Sequence, residues 1–219
     1  MAGLPDFVSL NGPDNVGKTT QLRLLAERTS RFQRLGSIHE HDRGTWRRVA
    51  GRDYARWWFE TSTTAELTRM LAAGHTHRAK ARGPGRVGLL DRGLPMLLAV
   101  AAATSALKDD LPVPAALDRV TALVGTTSPP ESPVLLLPSL DAERSYAITS
   151  AREGRPWTGV YPAYQRLLHS TLLRQAERGT YAAVVLCEER SAADIHAEVV
   201  RHLSSHLPTP PQAERSSPP

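Results

Sequence analysis

The chain has 219 residues, 41% of them hydrophobic and 5% aromatic, with a formal charge of +5 and a single cysteine, Cys187. That length and apolar content suit one α/β domain with a Leu-, Val- and Ala-rich core, although two small domains also fit. One cysteine excludes an internal disulfide and argues against a cysteine-based metal site. The apolar run over 94–103 is too short for a membrane span of roughly 20 residues, and no signal-type segment opens the chain, so a cytoplasmic protein is expected.

Residues 5–11 read as a first, β-rich strand. They lead into Gly12-Pro13-Asp14-Asn15-Val16-Gly17-Lys18-Thr19, which matches G-x-x-x-x-G-K-[ST] at every fixed position. Leu22, Leu24, Leu25 and Phe32 then alternate with Gln21, Arg23, Glu27 and Arg28, so 18–32 reads as an amphipathic helix. A strand, a Gly-rich loop and a helix in this order build an anion site. Loop N–H groups and the positive helix end converge there, and glycine admits phosphate oxygens close to the backbone. Gly12, Asp14, Asn15, Val16, Gly17, Lys18, Thr19 and Thr20 are therefore expected to hold ATP, with Lys18 on the β- and γ-phosphates and the Thr19 hydroxyl on Mg²⁺.

Further along, 36–40 is expected as a short second strand and 41–54 as a polar loop with an early helical turn. A helix is expected over 56–73, ended by Gly74, with a basic loop to 86 that turns at Gly83-Pro84-Gly85. Val87-Gly88-Leu89-Leu90 reads as a buried strand delivering Asp91 and Arg92 at its carboxyl end. Helices follow over 95–105 and 114–124, a loop over 125–133, a strand over 133–137 and a helix over 141–151. A polar stretch, 152–159, precedes a long helix over 162–178, a last strand over 181–187 and a last helix over 192–206. Residues 1–207 are taken as the domain and 208–219 as a disordered Pro/Ser-rich tail. Strands alternating with helices predict a parallel sheet covered on both faces, with ligands beyond the carboxyl ends of its strands.

Asp91, at such an end, is placed to hold Mg²⁺ directly or through water, and Arg92 to point at the same phosphates. Arg152-Glu153-Gly154-Arg155 has the composition of a closing segment, a lid over about 150–160 whose arginines would meet the migrating phosphoryl group. Trp57-Trp58-Phe59 could wall a base-binding pocket or anchor a helix. His39, His41, His75 and His77 read as solvated rather than metal-binding.

These residues resemble the thymidylate kinase family of nucleoside-monophosphate kinases. Residues 7–22 are similar to that family's first strand, phosphate loop and helix, Leu90-Asp91-Arg92 to its Asp-Arg motif, and 141–166 to its lid and following helix. The resemblance implies a P-loop NTPase three-layer fold, with a five-stranded parallel sheet in the order 2-3-1-4-5. It further implies transfer of the ATP γ-phosphate to a nucleoside monophosphate. Asp14 would contact the acceptor's sugar, and lid arginines Arg152 and Arg155 would serve where Asn15 replaces an arginine found in some members. Phe59 stands where a phenylalanine stacks on thymine, but Thr63 stands four residues on, where an arginine grips the acceptor phosphate. His39-Glu40-His41-Asp42-Arg43-Gly44-Thr45 replaces an Arg-Glu-Pro-Gly-Gly-Thr type run, and Gly93 replaces a larger residue. Arg43, Arg56 and Arg69 are candidates to stand in for the missing arginine. Members often form dimers, so the apolar helix after Leu94 is open to an interface or to the core.

The expected activity is thus an ATP- and Mg²⁺-dependent kinase acting on thymidylate or a related nucleotide. Lys18, Arg92, Arg152 and Arg155 would be catalytic, Asp14, Phe59 and Arg92 would meet the substrate, and Thr19 and Asp91 the metal. A kinase of a nucleoside or other small metabolite is the first alternative, with Asp91 or Glu40 as base. A nucleotide switch or NTPase without an acceptor is the second. Only three of the 27 basic residues are lysine, a bias that suits phosphate or nucleic acid but reads better as a genome-wide preference for arginine codons than as a nucleic-acid footprint. No dense basic cluster interleaved with aromatics accompanies it, so neither nucleic acid nor a membrane is expected as a partner.

Overall fold

The computed structural model describes residues 5–50, 53–125, 129–153 and 157–203. The elements run β1 (Phe7–Asn11), α1 (Lys18–Arg28), β2 (Phe32–Arg34), α2 (Ile38–His41), α3 (Arg43–Ala50) and α4 (Tyr54–Arg56), which continues into a π-helical turn, Trp57–Thr61. They continue with α5 (Thr64–Ala79), β3 (Val87–Asp91), α6 (Leu94–Asp109), α7 (Val113–Val124), β4 (Glu131–Leu137), α8 (Ala142–Ala151), α9 (Tyr161–Glu177), β5 (Ala183–Leu186) and α10 (Ala192–Leu203). The sheet is parallel throughout, in the order β2-β3-β1-β4-β5. That is the expected order.

Alternation along β4 shows how both faces are covered. Leu135 and Leu137 enter one core with α5, α6, α7 and α9, while Val134 and Leu136 enter another with α1 and α10. α6 is buried nearly all round, and its Ala99 and Ala101–Ala103 let neighbouring helices approach closely. It belongs to the core. Cys187 is a buried thiol whose pKa burial raises to about 11. Among the described residues, no helix is long and apolar enough to cross a membrane.

Four local expectations need correction. The second strand is three residues, Phe32–Arg34, not 36–40, and the helix expected to reach 32 stops at Arg28. Residues 38–41 are helical because Ser37 and Glu40 form a capping box. Residues 43–50 form a helix instead of a loop, which buries Trp46 in the larger core. The helix expected over 56–73 is two pieces. The π turn ends at Ser62, a second capping box at Thr63 and Glu66 starts α5, and Gly74 lies inside that helix, packed against Ile38. The tail at 208–219 lies outside the described residues.

Candidate active site

The register of β1 builds the site. Leu10 pairs with Asp91 on β3 and Asn11 with Leu135 on β4, so the glycine-rich loop and the end of β3 emerge side by side. Gly12 has φ 134°, and a Cβ there would lie 2.1 Å from the Leu136 carbonyl oxygen, so the position requires glycine. Gly17 turns the chain into α1, whose first-turn N–H groups lack partners within the helix.

Lys18 is 5% exposed. Its Nζ donates to the carbonyls of Gly12 (3.0 Å) and Pro13 (2.7 Å), which leaves its third hydrogen for a ligand. Burial, then the Arg92 charge, bring its pKa down to about 8 against the pull of Asp91 and Asp14. Thr19 Oγ1 donates to Asp91 Oδ2 at 3.0 Å, while Asp91 Oδ1 is buried with no hydrogen-bond partner. A hydroxyl beside a carboxylate with one oxygen free of hydrogen bonds is a hard-oxygen pair that fits Mg²⁺ completed by phosphate oxygens. Among the described residues, no group of three or more His, Cys, Asp or Glu side chains could hold a metal on its own.

Arg92 adopts a left-handed backbone, φ 64°. Its Nη2 donates to Asp14 Oδ1, and the Tyr161 hydroxyl donates to Asp14 Oδ2 at 2.8 Å. Burial pushes the Asp14 carboxyl up, but Arg92, Lys18 and Tyr161 together outweigh it and hold Asp14 below the usual carboxylate range. Beneath this pair lies Arg78, 1% exposed, whose guanidinium donates to the carbonyls of Asp91 (3.0 Å) and Arg92 (2.7 Å). Glu131 accepts from Ser9 Oγ and from the Leu94 N–H. Gly93 is small because any Cβ there would strike Ser9 and Glu131.

Arg152 reaches the loop, its Nη1 donating to Asn15 O at 2.8 Å, while Asn15 Nδ2 donates to Glu153 Oε2 at 2.9 Å. Arg155 lies outside the described residues. The loop, Asp91, Arg92, Arg152 and Tyr161 line an open cleft of about 950 Å³. A second cavity of about 470 Å³ adjoins it, and Asp14, Asp91, Arg92 and Tyr161 line both. Trp58 and Phe59 wall the second cavity, with the Phe59 ring edge-on to Tyr164 at 5.2 Å.

No protein-family model matches the sequence, and no curated protein is significantly similar to it. Solved structures are. A thymidylate kinase from Candida albicans superposes with a TM-score of 0.61 at 13% identity, covering 94% of this chain and 93% of that one. A deoxyadenosine kinase from M. mycoides gives 0.56 at 12% identity, over 90% and 99%. A thymidylate kinase from Ehrlichia chaffeensis gives 0.55 at 17%, over 93% and 100%. The chain shares the fold of these three kinases. At such identities the likeness is one of fold, and the chemistry rests on this chain's own residues.

Within this fold, Asp14, Asn15, Gly17, Lys18, Thr19, Thr20, Asp91, Arg92 and Arg152 come together in the larger cleft. Val16 does not face it. Its side chain is buried in the core with Leu10 and Leu22. Thr63 caps α5 and lines a separate surface pocket with Lys108 and Arg119. Arg56 is exposed and paired with Asp53 and Glu60, and neither Arg43 nor Arg69 lines either cavity. His75 is not solvated: it is 3% exposed beside Arg78 and Glu131, and burial takes its pKa to about 4. Sequence reasoning missed Tyr161, Arg78 and Glu131. Only the position of Tyr161, just after the polar stretch 152–159 and at the start of α9, offered a signal.

Proposed function

We propose that the chain is an ATP-dependent phosphotransferase that carries the γ-phosphate of ATP to a small acceptor with a planar ring, thymidylate or a related nucleoside compound. The observation that carries this reading is the junction of the two cavities. Lys18, Thr19 and Arg152 belong to the larger cleft alone, the aromatic wall to the smaller, and Asp14, Asp91, Arg92 and Tyr161 to both. A hydrolase without an acceptor has no use for the second cavity.

In this reading the loop N–H groups and the third hydrogen of Lys18 hold the β- and γ-phosphates. Thr19 and Asp91 would hold Mg²⁺, which neutralises phosphate charge when bound. Asp14 restrains Arg92 so that its guanidinium meets charge developing on the transferred group without having to be ordered at that moment. Arg152, already on Asn15, covers the phosphates from the lid side. Thr63 carries no charge and does not line the aromatic cavity, so the expected phosphate anchor is missing from the acceptor side.

A coupled assay of ADP release from Mg·ATP, with and without added nucleosides and thymidylate, tests the reading. Acceptor-stimulated release, abolished by Lys18→Ala, is the expected result. Release that no acceptor stimulates, or that survives in Lys18→Ala, overturns it.

A further inference from the structure

The carboxylates and guanidinium groups that line the smaller cavity, those of Asp14, Arg78, Asp91 and Arg92, gather at or beneath its junction with the larger one, and His39 also lines it. Its wall is Trp58, Phe59, Leu71, Met96, Tyr164 and Leu168, with Ile38 and Val100 beside them. Its volume, about 470 Å³, lies within the range of small-molecule sites, roughly 300–1,000 Å³.

Two guanidinium groups line it among the described residues, and both are held by protein acceptors, although the buried Nε of Arg78 has no hydrogen-bond partner. Arg92 is held by Asp14 and lies 3.7 Å from Asp91 Oδ1. Arg78 is buried under the junction, with Nη1 on the Asp91 carbonyl and Nη2 on the Arg92 carbonyl and His75 Nδ1. Two carboxylates, Asp14 and Asp91, face the same junction. Thr63, four residues after Phe59, supplies no cation and does not line the cavity. With a π-turn bond from the Ser62 N–H to the Trp57 carbonyl, the helix breaks, and Thr63 turns to the outer surface as the cap of α5. An anionic group on the acceptor would enter apolar surroundings beside two carboxylates, which is costly without a partner of opposite charge. A neutral planar ring meets aromatic and aliphatic walls, with Ser37, His39 and Tyr54 as uncharged polar neighbours.

Resting on the phosphotransferase reading above, we propose that the acceptor is an uncharged, hydroxyl-bearing molecule of nucleoside size, and that the transfer is to a hydroxyl and not to a phosphate. The acceptor oxygen forms the new bond to the γ-phosphorus, and the bond from that phosphorus to the β–γ bridging oxygen breaks, its electron pair leaving with ADP. The hydroxyl proton passes to the carboxylate of Asp14.

Position singles out Asp14 for that proton. Glu40 directs its carboxylate to Ser37 and lines neither cavity. Asp91 accepts from Thr19 and belongs with the metal. Asp14 lies at the junction, and each of its oxygens takes one hydrogen bond, from Arg92 or from Tyr161, which leaves a lone pair on each. It stays ionised at neutral pH and is ready to accept.

The test uses the full chain with Mg·ATP. Thymidine, deoxyadenosine, deoxyguanosine and deoxycytidine are run against their 5′-monophosphates, and products are resolved by anion-exchange chromatography. At least one nucleoside is expected to be phosphorylated with kcat/KM about tenfold or more above that of its monophosphate. Asp14→Asn is expected to lower kcat for that nucleoside by about 100-fold or more while the KM for Mg·ATP changes little. Preference for a monophosphate overturns the proposal and leaves the phosphotransferase reading intact. Mg·ATP binding, seen by calorimetry, with no transfer to any of the eight compounds also overturns the nucleoside-sized class. Failure to bind Mg·ATP at all removes the phosphotransferase reading itself.

Discussion

The Nη2 of Arg78 donates to the main-chain carbonyl of Arg92 at 2.7 Å, beneath a residue whose own guanidinium reaches Asp14. One buried arginine thereby fixes the left-handed backbone that aims another. Asp91 is fixed by the same group, through its carbonyl at 3.0 Å.

Arg78→Met is therefore expected to strand buried carbonyls at about 1–3 kcal/mol each and to loosen Asp91 and Arg92 together. Urea denaturation should show the loss of stability. Turnover should fall more than the KM for Mg·ATP rises, because Lys18 and the loop are untouched. Unchanged turnover in a folded Arg78→Met protein would show that Arg92 needs no such support.

Lys18 gives a pH dependence. Its ammonium titrates at about 8 in the free protein, because burial and Arg92 favour the neutral form. Bound phosphates favour the charged form, so nucleotide binding takes up a proton above that pH. The Kd for Mg·ATP should weaken as pH rises through about 8, and calorimetry at pH 9 in buffers of different ionisation enthalpy should register that uptake. Binding independent of pH from 7 to 9.5 would contradict this.

His75 sets an acid limit on stability. Its pKa is about 4 in the fold against 6.5 when solvated, so the unfolded chain binds more protons between those values. Stability should fall as pH drops from about 6.5 to 4, and His75→Gln should flatten that slope in urea midpoints measured across the range.

Tyr161 tunes the proposed proton acceptor. Its hydroxyl donates to the ionised form of Asp14, so Tyr161→Phe removes a contact that favours ionisation. The acid limb of the kcat profile should move to higher pH. A limb that stays in place would separate Asp14 from the proton transfer.

Much of this was legible in the chain, for reasons particular residues make plain. The phosphate loop is contiguous, and each fixed position answers to a local demand, such as the approach of Gly12 to Leu136. Strand order followed from the resemblance the loop carries. What escaped was short or non-local. Three residues of β2, with one buried side chain, leave no periodicity to read. The π turn defeats a count based on 3.6 residues per turn, so the sequence reads as one helix where the chain breaks at Ser62. Ser37 and Glu40 carry the spacing of a capping box, a signal the strand expected over 36–40 leaves unused. Arg78, Glu131 and Tyr161 reach the junction only through tertiary packing, and nothing near them in sequence announces it.

The central claim is transfer, and following the γ-phosphate tests it most directly. Mg·ATP and the preferred acceptor are incubated with the protein and the products read by ³¹P NMR. The account predicts a phosphomonoester on the acceptor, equal in amount to the ADP formed, and neither product with Lys18→Ala. Inorganic phosphate in place of the ester would contradict it.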